Sequence, residues 1–191
     1  MPILDWLLYQ HCPEQSVESA WADLAKLPRP PRTLPDKIMT ALDLHPCDIL
    51  FIHRDAEKEA FEVRFREITT ALEGLVTPPV ICVIPVRMQE AWLLYDETAI
   101  RRAAGKPNGS TALKLPSLKT VENLPDPKQF LFDLIRASSE LKGARLKKLN
   151  HRRCAFLVSQ SIADFSPLRS LRAFRVLEEQ LVKALEESPS P

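Results

Sequence analysis

Charged side chains gather where two apolar stretches of the chain end. His53, Arg54, Asp55 and Glu57 close the run Cys47-Asp48-Ile49-Leu50-Phe51-Ile52. Arg87 and Glu90 follow Val80-Ile81-Cys82-Val83-Ile84-Pro85-Val86. Carboxylates brought together at such ends could hold a divalent cation that polarises a phosphodiester and activates water. Arg54 or Arg87 could then steady the negative charge that develops. Each acid also has a structural alternative. Asp55 could cap a following helix, although Lys58 three residues on completes no capping box. Glu90 could sit in a first helical turn and favour the positive end of its dipole. Asp96 could be an internal N-cap.

A second cluster is purely basic. From Lys142 to Arg153 the chain reads K-G-A-R-L-K-K-L-N-H-R-R, and no acid occurs between Glu140 and Asp164. Arg169, Arg172 and Arg175 follow at a spacing of three. A charge run of this kind is either a solvated face or a phosphate-binding footprint. In the second case Lys147, Lys148, Arg152 and Arg153 would contact DNA or RNA. Few aromatic residues interleave, so base stacking is not expected.

Other chemistries lack their residues. His53-Arg54-Asp55 matches the H-R-D of a kinase catalytic loop, but the Gly-rich loop, strand lysine and D-F-G are missing. Only four glycines stand against 17 prolines, and no phosphate-cradling glycine motif occurs. Cys12, Cys47, Cys82 and Cys154 form no C-x-x-C, so they read as free thiols in a reducing cytoplasm. The four histidines are too scattered for a zinc site. No run approaches the roughly 18 apolar residues of a membrane span. A net charge of +1 points to no partner by itself.

The elements that must position these residues are legible in outline. The chain has 191 residues, 45% hydrophobic and 27% charged, enough for a real core. The runs at 47–53 and 80–86 read as strands covered on both faces. Between them Phe61, Phe65, Ile68, Leu72 and Leu75 form one helical stripe. Strand, helix, strand is a βαβ unit with its ligand site expected beyond the strands' carboxyl ends. Helices are expected at 3–9, at 34–44 and from Glu90 to Ala104 with a break at Asp96. Gly105 suits the position after that helix. Trp21 and Leu24 are expected in the core. Residues 106–126 read as an irregular loop of the kind that forms lids. Asp126-Pro127 and Ser166-Pro167 read as helix starts. The fold class is therefore α/β: a small, mostly parallel sheet with flanking helices in residues 1–105, and a helical C-terminal part at 127–186. Residues 187–191 are expected to be a disordered tail.

Three stretches carry a family resemblance: F-I-H-R-D-A-E at 51–57, V-I-P-V-R-M-Q-E-A-W-L-L-Y-D at 83–96, and L-P-D-P-K at 124–128. The chain resembles the bacterial domain-of-unknown-function family 4276, a Toprim-related group. The resemblance implies a Toprim-like sheet that binds Mg²⁺ or Mn²⁺ through acids at strand ends. It further implies a nuclease component working beside an ATPase in antiphage defence. On the family pattern Asp55 matches the second acid of a D-x-D, and His53 stands where the first belongs. Glu90 and Asp96 match the acids of E-A-W-L-L-x-D. The metal ligands implied are thus Asp55, Glu90 and Asp96. An imidazole is a poor substitute for an oxygen ligand of magnesium. The resemblance therefore leaves room for a catalytically silent module that binds nucleic acid or an ATPase. A small-molecule phosphate binder is a third reading. The family pattern also places a strand ahead of Ile3, so a missing first strand is expected.

Overall fold

The computed structural model describes residues 1–187. Its sheet is the expected parallel pair, shorter than the apolar runs. Strand β1 (Leu50–His53) pairs with β2 (Val80–Val83), Leu50 opposite Val80 and His53 opposite Val83. Residues 47–49 stay out of the ladder; Asp48 is a poor strand former, and Cys47 is exposed. β2 ends before Pro85, which has no N–H to give. Backbone pairing nevertheless continues past both strands. Arg54 N–H donates to Val83 O and Ala56 N–H to Pro85 O, both at 3.0 Å, and Glu57 N–H donates to Arg87 O at 2.7 Å.

Helix α1 (Pro2–His11) buries Ile3, Leu4, Leu7 and Leu8. Helix α2 (Leu34–Leu44) is capped by Thr33, whose hydroxyl accepts from Asp36 N–H at 3.2 Å. Helix α3 (Phe61–Leu72) is the crossover between the strands and buries Ile68 and Ala71. Alternation along the strands feeds two cores. Ile81 and Val83 enter the large one, while Ile52, Cys82 and Ile84 pack with Ile38, Ile68 and Ala71 in the small one. Two apolar expectations are corrected. Phe65 sits at the rim of the α3 stripe, stacked on Phe61 at 6.1 Å between ring centroids and partly exposed. Trp21 is 69% exposed rather than in the core. Its segment contains one short 3-10 turn, Leu24–Lys26, before Pro28, Pro30 and Pro31, so no regular element carries the ring inward.

A 3-10 turn at Gln89–Leu93 precedes α4 (Glu97–Ala103), with the break at Asp96 as the sequence suggests. Gly105, at φ +78°, closes α4. Residues 106–126 contain one short helix, α5 (Leu118–Val121). They are tied down rather than free as a lid. Glu140 Oε1 accepts from Ser110 N–H at 2.7 Å and Thr111 N–H at 3.0 Å. Arg101 Nη2 donates to Thr111 O at 2.6 Å. Helix α6 (Pro127–Ser139) starts at Asp126, whose Oδ1 accepts from Gln129 N–H at 2.8 Å.

Helices α7 (Gly143–Lys147), α8 (His151–Ser161) and α9 (Arg172–Glu187) complete the fold. Ser166 does not cap α9 as expected. It opens a 3-10 turn, Ser166–Ser170, and donates from both N–H and hydroxyl to Asp164 at 2.8 Å. Glu187, expected in the tail, ends α9; the rest of that tail, residues 188–191, lies outside the described residues. α9 lines the outer edge of β2, where Gln180 Oε1 accepts from Cys82 N–H at 3.1 Å. A helix side chain thus stands where a third strand would pair. Among the described residues no strand flanks β1 on its other edge. The C-terminal helices share the large core with α1, β2 and α4, so they are no separate layer. Among the described residues no helix is long and apolar enough to cross a membrane.

Candidate functional site

Parallel pairing brings the two strand ends to one rim, and Asp55 lies there beside Glu90. Asp55 does not cap α3, which starts at Ala60 with no side-chain cap. Its Oδ1 instead accepts from Gln89 N–H at 2.9 Å and so clamps the turn that carries Glu90. His53 Nε2 is 3.3 Å from the same oxygen but lacks hydrogen-bond geometry. Glu90 Oε1 lies 3.2 Å from Lys128 Nζ in the first turn of α6. Asp96 caps α4, its Oδ1 accepting from Ala99 N–H at 2.9 Å. Each of the three acids therefore holds a structural partner. Among the described residues no group of three or more His, Cys, Asp or Glu side chains could hold a metal ion. Magnesium demands near-octahedral oxygen coordination, and this donor arrangement does not fit it.

The rim arginines differ. Arg54 Nη2 donates to Glu67 Oε1 at 2.6 Å, while Arg64 Nη1 holds the other oxygen at 2.9 Å. Arg87 occupies the left-handed region at φ +64°, and its carbonyl accepts from Glu57 N–H. Cys82 on β2 is buried, which pushes its thiol up to about 11 and keeps it protonated at neutral pH.

The basic residues separate into two groups. Arg169, Arg172 and Arg175 are engaged. Arg169 Nη2 reaches Glu178 Oε1 at 2.6 Å, and its guanidinium lies 5.5 Å from the Trp6 ring centre. Arg172 pairs with Glu62 at 2.9 Å and lies over Phe61. Arg175 Nη1 donates to the carbonyls of Arg169 and Ser170. By contrast Lys142, Arg145, Lys147, Lys148, Arg152 and Arg153 are all exposed, and among the described residues none forms an ion pair. Their nearest acid in the chain, Glu140, is occupied by Ser110 and Thr111, which hold its carboxyl below the usual range.

These cations sit on ordered backbone. Asn150 Oδ1 accepts from Arg153 N–H at 3.0 Å and fixes the start of α8. Cys154 and Val158 turn the opposite side of α8 into the core. Phe156 therefore faces outward, 58% exposed, on the side that carries Arg152 and Arg153. Counting aromatics along the chain missed it. The helical spacing of Cys154 and Val158 was the signal that could have found it.

The structure thus assembles the rim residues Asp55, Glu90, Arg54 and Arg87 around one pair of strand ends, places Asp96 in a helix cap, and leaves Lys147, Lys148, Arg152 and Arg153 as an uncompensated surface. No family model matches the chain, and no curated protein or solved structure is significantly similar to it.

Proposed function

We propose that this protein is a nucleic-acid-binding module whose contact surface is the exposed basic face of α7 and α8. One observation carries the reading: the acids that could neutralise these cations are absent or taken, while the arginines of the 169–175 row are spent on structure. Uncompensated, exposed Lys and Arg on ordered helices match a phosphate backbone, and binding is driven by counterion release. Metal-dependent cleavage at Asp55, Glu90 and Asp96 has less support, because each acid already holds a structural partner. The four free cysteines support a cytoplasmic setting.

Titration of labelled oligonucleotides against the full chain tests the reading. Four phosphate contacts should give a slope of log K against log salt of about −3 on a single strand. Replacing Lys147, Lys148, Arg152 and Arg153 together by Glu should abolish binding with the circular dichroism unchanged. EDTA should leave binding intact. Salt-independent binding, or binding that survives the fourfold replacement, would sink the proposal. Cleavage of the oligonucleotide on adding Mg²⁺, lost in Asp55→Ala, would restore the nuclease reading.

A further inference from the structure

We propose that Phe156 stacks on an unpaired base, so that the α8 surface selects single-stranded over duplex nucleic acid. This rests on the reading above and adds the class of ligand. A large aromatic side chain exposed by 58% sits among cations rather than on an apolar face. Arg153 and Arg152 lie three and four residues before Phe156, one helical turn away on the same side. Helical side chains lean toward the N-terminus, so the ring leans toward the two guanidinium groups. Gln160, also exposed, continues that side one turn on.

The arrangement offers a backbone track and a flat ring next to it. Phosphates of a strand would follow Lys147, Lys148, Arg152 and Arg153, and the adjoining base could turn onto Phe156. Proteins that hold single strands without reading sequence combine these same two parts. A duplex keeps its bases stacked inside and presents only phosphates to the ring. The charge of the surface also selects the occupant: an apolar protein segment would leave the surrounding cations unmatched, whereas an anionic strand pairs with them.

The full chain and its Phe156→Ala and Phe156→Trp variants should be titrated with one labelled oligonucleotide, single-stranded and annealed to its complement. Loss of the ring should weaken the single strand about tenfold, with the duplex affinity and both salt slopes unchanged. Phe156→Trp should keep the affinity and gain a fluorescence quench on binding that the unaltered chain lacks. An exposed position should tolerate both changes, and thermal melting checks this. Equal binding of the two forms, or no effect of Phe156→Ala while the fourfold Glu replacement still abolishes binding, would overturn the stacking proposal and spare the basic-surface reading. Absence of binding to either form by the unaltered chain would overturn both.

Discussion

At Asp55 two roles compete for the same oxygen. A metal ligand needs a free lone pair aimed at the ion, whereas here Oδ1 accepts the Gln89 N–H at 2.9 Å and joins the ends of both strands. The bond crosses between segments far apart in the chain, so its removal should be felt in stability. Asp55→Ala leaves the Gln89 N–H without its acceptor and should cost about 1 kcal/mol. Asp55→Asn keeps a carbonyl acceptor at the same place and should lose much less. Urea unfolding of the two variants measures this. A structural clamp gives Asn close to the unaltered protein and Ala clearly weaker. A carboxylate needed for its charge would make the two equally damaging.

Among the elements, α1, the turn Ser166–Ser170 and α9 meet at Glu178. His11 Nε2 lies 2.8 Å from Glu178 Oε1, and Arg169 reaches both carboxylate oxygens through Nε at 3.0 and 3.1 Å. Arg169 first, with His11 adding to it, holds the Glu178 carboxyl below its ordinary value. A carboxyl with a lowered folded pKa contributes stability above its unfolded pKa of about 4.3. That contribution is lost as pH falls through the lowered value. Glu178→Gln should lower the melting temperature at pH 7 by about 2–4 °C, near 1 kcal/mol after solvent screening. The difference should shrink as pH falls below about 4. A constant difference from pH 7 to pH 3, followed by thermal melting, would show that the carboxylate charge is not what joins these elements. Sequence alone shows none of this, because Glu178 and His11 are 167 residues apart. What it shows well is local. The βαβ unit follows from two apolar runs and one stripe, and Asp96 and Asp126 announce helix starts through their own side chains. The basic row at 169–175 was misread because its partners Glu62, Glu178 and Trp6 lie on distant elements. Trp21 was misplaced because hydrophobicity does not say whether an element exists to bring a ring inside.

On the scale of the whole molecule, the sheet depends on the last helix. Two strands alone are marginal in water. Here β2 gains a backbone partner from Gln180, and Phe174 meets the Trp92 ring edge-on at 5.7 Å and 85°. Both rings are fully buried in the core shared by α1, β2, α4, α6, α8 and α9. The α/β half and the helical half should therefore unfold as one body. Phe174→Ala removes a ring from close-packed surroundings and should destabilise the fold by about 3–5 kcal/mol. If the core is continuous, tryptophan fluorescence and helical ellipticity should report one coincident urea transition in both the variant and the unaltered chain. The midpoint would fall in the variant and the slope would stay. Two separated transitions, with fluorescence lost before most of the helix, would show that the C-terminal helices fold independently of the sheet. The basic surface would then belong to a unit that does not need β1 and β2.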